Sequence, residues 1–266
     1  MFTVRIGLPL VSGSLPGFAQ NLDAPTLVSA NALWNHKAGR FRKPASAIMD
    51  LDVALDSAGF VAMNRYGGFR WNVEQYVGLA GAYSWTWWAQ MDCCCEPEVA
   101  KDAQEISRRV DWSTMLLWHC LTTARNWREQ GAFWLQDPMP VLQGWQPAEY
   151  RRCAQMYSSV LDRKWPDMVG IGSVCRRNLT GPDGLFNVIE ALQEEIPEHV
   201  GFHLFGVKGA ALEKLKKYPR VVSIDSSAWD FRARMAARDE DEKYSMAWRG
   251  AHMKRWYEKQ LERLKP

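Results

Sequence analysis

The sequence predicts an α/β protein, a (β/α)8 barrel of the TIM type, formed as a single domain over residues 1–266. Three observations carry that expectation. Short β-branched apolar runs alternate with amphipathic stretches through the second half of the chain, the pattern of a parallel sheet with crossover helices. Up to eight such runs can be counted, enough to close a barrel. The length, 266 residues, is also close to the ~250 typical of one barrel.

Taken in order, Val4 to Pro9 and Thr26 to Ala30 are short apolar runs bounded by Gly, Pro and Asn, and both read as strands. Ile48 to Leu55 is the next, ending at Asp56. A short helix is expected over Asn72 to Gly78, where Val73, Tyr76 and Val77 share a face. Ser84 to Met91, dense in Trp, reads as a strand stopping at Asp92. Glu98 to Gln130 is a long helix, because Ile106, Val110, Leu116, Leu117, Cys120 and Leu121 fall at helical spacing. Strands at Pro140 to Gly144, Met168 to Gly172, Gly201 to Val207 and Val221 to Ile224 then alternate with helices at Pro147 to Leu161, Gly184 to Glu195 and Ala210 to Tyr218. An amphipathic helix, Glu242 to Leu264, fills the closing segment 242–266.

The composition excludes several classes. Hydrophobic residues at 47% and charged residues at 24% are an ordinary globular balance. No run approaches ~18 apolar residues, so no membrane span and no membrane partner are expected. The apolar start, Phe2 to Gln20, is interrupted by Pro9 and Gly13 and is too short for the core of a signal peptide. Cys93, Cys94 and Cys95 are consecutive while Cys120, Cys153 and Cys175 stand alone, which is no disulfide framework and points to a reduced, cytoplasmic setting. There is no Cys-x2-Cys spacing. His199 and His203 flank Gly201, and His203 lies in an apolar run, so no metal site is expected. No Gly-x-Gly-x-x-Gly or Walker loop follows a strand, which argues against a nucleotide cofactor. A net charge of +3 and a pI near 8.5 permit a polyanionic partner without demanding one. The 14 Trp residues read first as packing.

In a barrel of this kind reactive groups stand at the carboxyl ends of strands. Two stretches share one design, an apolar run ending in Ile/Leu-Asp-Ser: Val221 to Trp229 around Asp225, and Met49 to Phe60 around Asp56. Two strand-end carboxylates are the minimum equipment for nucleophilic plus acid/base chemistry at a sugar carbon. The remaining strand ends contribute Asp92, Gln143, Gly170 to Gly172, and Phe205-Gly206. A carboxylate can accept from the N1–H and amine of a guanine-like edge, while an amide NH2 or backbone N–H donates to its O6. Phe60 and Phe205 can sandwich the flat ring. Each residue also has a plain reading: a strand-end Asp as a helix N-cap, Gln143-Gly144 as a turn, Cys93 to Cys95 as packing. Taken alone, the residues describe a pocket for a flat polar ring with a carboxylate nucleophile.

At this point the motifs resemble a known family, the tRNA-guanine transglycosylases, and more closely their shorter phage and bacterial relatives, the DNA 7-deazaguanine transglycosylases. The resemblance runs from about residue 48 to 235, in the family's order. Leu55-Asp56-Ser57-Ala58-Gly59-Phe60 resembles the Asp-Ser-Gly-Gly-aromatic stretch, which implies Asp56 as acid/base, Ser57 in the base pocket and Phe60 as one side of the sandwich. Met91-Asp92-Cys93-Cys94 resembles the Asp-x-Cys segment, with Asp92 reading the guanine edge and Cys94 beside it. Val141-Leu142-Gln143-Gly144 is similar to the Val-Gln-Gly that supplies an amide, and Gly170-Ile171-Gly172 to the strand whose backbone faces the base. His203-Leu204-Phe205-Gly206 makes Phe205 the other side of the sandwich. Ser223-Ile224-Asp225-Ser226 is similar to the nucleophile strand, implying Asp225.

Two departures stand out. Ala58 replaces a glycine, which narrows the base loop. No cysteine follows Cys175, so the C-terminal zinc module of the tRNA enzymes is missing, which favours DNA with tRNA as the alternative. The resemblance implies attack by Asp225 on C1′ of a guanosine, a covalent ester, and return by a 7-deazaguanine such as preQ0, whose N9 proton Asp56 removes. The target base must leave its stack. No cofactor is required. Arg176, Arg177, Arg232 and Arg234 are the cations expected near backbone phosphates. A homodimer or an accessory protein is compatible with the sequence, as is the cytoplasm of a bacterial host if the chain is phage-encoded. The competing readings are a retaining glycoside or nucleoside hydrolase using Asp56 and Asp225, and a nucleic-acid-binding barrel without activity.

Overall fold

The computed structural model describes residues 2–44, 46–48 and 50–265. Met49, inside the strand expected from Ile48, and Pro266, in the expected terminal segment, lie outside the described residues. In chain order the elements are β1 (Thr3–Leu8), α1 (Ser14–Gln20), β2 (Thr26–Ser29), α2 (Ala30–Leu33), β3 (Trp34–Asn35), β4 (Arg40–Phe41), β5 (Val53–Asp56), α3 (Gly59–Tyr66), α4 (Val73–Gly81), α5 (Ala103–Glu129), β6 (Val141–Leu142), α6 (Pro147–Val160), β7 (Met168–Ile171), α7 (Leu185–Glu195), β8 (Gly201–Leu204), α8 (Leu212–Leu215), β9 (Val221–Ser226), α9 (Ala228–Asp239) and α10 (Met246–Leu264).

Seven strands form one curled, all-parallel sheet in the order β5-β2-β1-β9-β8-β7-β6, a half-barrel. The last strand pairs with the first, Val4 opposite Ile224 and Arg5 opposite Asp225. The two sheet edges face a common segment, residues 86–90. On one side Leu55 N–H donates to Trp87 O and Ala89 N–H to Leu55 O; on the other Gln90 N–H donates to Met139 O and Met139 N–H to Trp88 O. The strand expected over Ser84 to Met91 is thus reduced to bridges at Trp88 and Ala89. Side chains pin the rest of it. Trp85 and Trp88 turn into the packing layer, and their indole N–H groups donate to Leu79 O and Gln136 O.

The helices cover the outer face of the sheet. Ile6, Val28, Leu55, Leu142, Ile171, Leu204 and Ile224 point outward into one large core. The inner face is layered differently. At its floor Arg5 is buried, pairs with Asp52 at 2.8 Å and lies over the Trp87 ring. Above it Trp87, His203 and Phe205 meet edge to face. The carboxyl ends of the strands stand above that layer.

Local sequence explains most helix ends. Asn72 and Gln75 cap α4 reciprocally, Asp102 caps α5, Pro147 opens α6, and Ser245 accepts from Trp248 N–H at α10. Asp102 and Ser245 set the true starts of helices expected from Glu98 and Glu242. The stretch expected as a helix from Ala210 to Tyr218 is a 3-10 turn, Gly209–Ala211, and the single turn α8. Two helices that the sequence reading left as loops, α3 and α9, begin directly after the two Asp-Ser strand ends. Helix α3 is entered through Ala58 at φ 68°, the left-handed conformation usually reserved for glycine. Among the described residues no helix is long and apolar enough to cross a membrane.

Candidate active site

The carboxyl ends of β2, β5, β7, β8 and β9 surround a cavity of about 310 Å³, at the small end of ligand pockets. Asp56, Phe60, Asp92, Cys94, Gln143, Gly172, Phe205 and Asp225 line it, joined by Ser29, Glu96 and Ser173. Register explains the meeting: Ser29 pairs with Asp56 across β2 and β5, and Asp225 follows Ile224, which pairs with both Val4 and Leu204.

The two carboxylates expected to do chemistry sit differently. Asp225 is nearly buried and accepts from Gly206 N–H at 2.9 Å. His203, wholly buried, sits below it, with Nε2 at 3.4 Å from Asp225 Oδ1 and no hydrogen bond of its own. Burial pushes the His203 pKa down, against the raising effect of Asp225 beside it. Its other nitrogen, Nδ1, lies 2.8 Å from the Ser223 hydroxyl. Asp56 accepts from Ala58 N–H at 3.0 Å. Burial, then the charges of Asp92 and Asp225, raise its pKa to about 7. A carboxyl poised there can give up a proton and take one back at neutral pH.

Asp92 is locked from both sides. Ser57 Oγ donates to Oδ1 at 2.6 Å, and Gln143 Nε2 donates to Oδ2. Burial raises its pKa to about 6 against the lowering effect of both donors. The other end of the Gln143 amide accepts from Ser173 Oγ at 2.6 Å. Ser173 in turn accepts from Cys95 N–H at 2.7 Å and lies 2.9 Å from Glu96 Oε2. One hydroxyl has one proton. That proton serves either Gln143 or Glu96, whose own pKa is raised by burial. Glu96, Ser173, Gln143 and Asp92 thus form one connected run of side chains. Ser173 holds its place at φ 53°, a strained position for a serine.

Glycines make room for this network. A Cβ at Gly172 would lie 2.1 Å from Gln143 Nε2, and one at Gly59 would lie 2.5 Å from Asp92 O. Of the three strand residues expected to face the base, Gly172 alone lines the cavity. A Cβ at Gly170 would strike the Phe205 ring at 2.5 Å, so this glycine makes space for an aromatic side chain, and Ile171 points outward into the helix layer. Ser57 lies behind Asp92, fully buried. Burial also raises the thiols, Cys93 to about 12, Cys175 to about 11 and Cys94 still higher, so none offers a thiolate at neutral pH.

The arginines divide. Arg176, Arg232 and Arg234 are exposed at the rim side of β7 and β9. Arg177 is not available to a phosphate. It is buried, stacks on Trp145 at 3.9 Å and donates to the carbonyls of Ser173, Trp145 and Asp183. The left-handed turn at Arg176, φ 62°, is what sends the two neighbours opposite ways. Sequence reasoning missed Glu96, Ser173 and the placement of His203. A lone carboxylate following three apolar cysteines was the one available signal for Glu96.

A sheet of this topology with acid/base and nucleophile candidates at its carboxyl rim defines a class of base-exchanging or sugar-processing enzymes. The family DpdA, DeoxyPurine in DNA protein A, matches residues 16–262, and the chain belongs to it. That family comprises DNA 7-deazaguanine transglycosylases of the tRNA-guanine transglycosylase superfamily. No curated protein matches the chain.

Proposed function

We propose that the protein replaces guanine in DNA by a 7-deazaguanine such as preQ0, through a covalent aspartyl intermediate. The observation that carries this reading is the meeting of Asp56 and Asp225 on one cavity with the locked pair Asp92 and Gln143 beside them. A glycoside hydrolase has no base for the locked pair to read.

In the first step an Asp225 carboxylate oxygen attacks C1′ of the flipped nucleotide. The C1′–N9 bond breaks, its electrons go to guanine N9, and the Asp56 carboxyl delivers its proton there. In the second, Asp56, now ionised, takes the N9 proton of the incoming base. N9 attacks C1′ and the ester to Asp225 is released. Asp56 ends protonated, so the cycle closes with no proton gained or lost. Asp92 accepts from the base's N–H groups, Gln143 and the Gly172 region face O6, and Phe60 and Phe205 hold the ring faces. The occupied pocket keeps water from the ester. In this reading residues 86–90 form the eighth strand, completing a single (β/α)8 domain.

The test is incorporation of labelled preQ0 by the purified protein into duplex DNA, single-stranded DNA and tRNA in parallel. Label in DNA, with loss of unlabelled guanine in equal amount, is the expected result. Label in tRNA alone overturns the substrate. Guanine release that leaves abasic sites, without incorporation, overturns exchange in favour of hydrolysis.

A further inference from the structure

The cations expected at the rim from the sequence follow β7 and β9. A further exposed group without ion pairs lies on the other side of the cavity, in the insertion after β2. Between Asp23 and Asp50 the sequence has no acidic residue but carries His36, Lys37, Arg40, Arg42 and Lys43; between Asp56 and Glu74 it again has none but carries Arg65 and Arg70. These six Lys and Arg residues amount to twice the +3 net charge of the whole chain, so the remainder is net acidic. All six are exposed, and among the described residues none makes an ion pair.

The fold gathers them. Strands β3 and β4 pair Trp34 with Phe41 and Asn35 with Arg40, and the Asn35 side chain accepts from Lys37 N–H and Ala38 N–H to shape the turn. One side of this hairpin is anchored: Trp34 and Phe41 pack on Trp71. The other presents a shallow hollow lined by Asn35, Arg40, Phe41, Arg42 and Lys43. Tyr66 ties the hairpin to α3, its hydroxyl 3.3 Å from both Asn31 and His36, while Arg65 and Arg70 lie over its ring. Asn31 is two residues from Ser29, and Tyr66 ends the helix whose first turn carries Phe60, both of which line the cavity. The charged surface therefore starts at the cavity rim and leads away from it.

We propose that this hairpin, with the α3–α4 turn beside it, grips the backbone phosphates of DNA flanking the target guanine. The proposal rests on the reading of the cavity as a DNA base-exchange site and assigns the track along which the strand is held. Backbone contacts of this kind release counterions and carry no sequence information. Arg176, after β7, and Arg232 and Arg234, on the helix after β9, are also exposed and belong to the opposite side of the sheet's rim.

The test uses fluorescence anisotropy of labelled duplex and single-stranded DNA between about 50 and 200 mM salt. The wild type is compared with R40Q/R42Q/K43Q on the hairpin and R65Q/R70Q on the neighbouring turn, with melting curves and binding of free preQ0 as checks on the fold and the pocket. Each lost phosphate contact lowers the slope of log Kd against log salt by about 0.7–0.9. The hairpin variant is expected to lose about 2–3 from that slope, equally for every DNA sequence, with preQ0 binding unchanged. Slopes equal to wild type in both variants overturn the proposal, even where preQ0 is incorporated into DNA. A slope carried by these residues in a protein that incorporates no label upholds the surface and removes the exchange reading. Tighter binding of tRNA than of DNA through the same side chains overturns DNA as the partner.

Discussion

The two halves of the cavity are built on opposite principles. On the side of β6, β7 and the segment after Gln90, every polar group is spoken for: Ser57, Asp92, Gln143, Ser173 and Glu96 form one run of hydrogen bonds, closed by Cys95 N–H. On the side of β5 and β9, Asp225 and Asp56 each accept one backbone N–H and leave their other lone pairs open. The first arrangement fixes a template before any ligand arrives. The second leaves groups free to form and break bonds. In the proposed reaction, recognition would be preorganised and reactivity would come from what is left unsatisfied.

The sharpest way to break the comparison is at the reactive side. Asp225→Ala is expected to cut exchange by roughly 10⁴-fold or more with preQ0 affinity intact; exchange retained in that variant removes Asp225 as nucleophile. Asp56→Asn is expected to cost roughly 10²–10⁴-fold. It also removes a titration: with an Asp56 pKa of about 7, the wild-type pH–rate profile bends near neutrality, and a profile unchanged in the variant counts against the acid/base role.

On the template side the effects are smaller and fall on binding. Ser173→Ala leaves Cys95 N–H and Gln143 Oε1 without their partner, worth about 1–3 kcal/mol, so KM for the incoming base rises about ten- to a hundredfold while kcat moves little. Glu96→Gln, whose amide oxygen can still accept from Ser173, is expected to keep the wild-type KM. A kcat loss without a KM change in Ser173→Ala contradicts the division of labour.

The same carboxyls shape stability. Asp56 has a folded pKa raised above its unfolded value, so the folded state holds its proton more tightly. The associated stability is present below about pH 4 and is lost as pH rises through about 7. Asp56→Asn is expected to flatten that decline, on the order of 4 kcal/mol at pH 8, read as Tm against pH. The smallest effect is at Ala58. Its left-handed φ of 68° costs about 1 kcal/mol that glycine avoids, so Ala58→Gly raises Tm slightly. A lower Tm shows instead that the buried methyl packs well enough to outweigh the strain.

Much of this was legible in the chain. Strand-end polar residues declare themselves because an apolar β-branched run stops abruptly, which is why Asp56, Asp92, Gln143 and Asp225 could be read off and meet at one cavity. The parallel sheet followed from the same runs. What stayed hidden depends on turns and side-chain anchoring. Nothing local says that Arg177 faces inward, since the decisive event is the left-handed turn at Arg176. The extended Trp-rich segment looks like a full strand, yet its indoles, bonded to distant carbonyls, leave two bridging residues. Helices α3 and α9 were obscured because each begins within three residues of a strand end, where the sequence still looks like a loop.

The glycines beside the network have a consequence for how the pocket can evolve. With Gly172 needed for the Gln143 amide and Gly59 for the Asp92 backbone, any added carbon at either position evicts a recognition group rather than reshaping the cavity. If the cavity holds a base as proposed, variation in base preference falls instead to lining residues outside that run, such as Cys175. Descendants of this chain that accept a differently decorated ring are expected to carry their changes there, with the two glycines retained as a fixed inheritance.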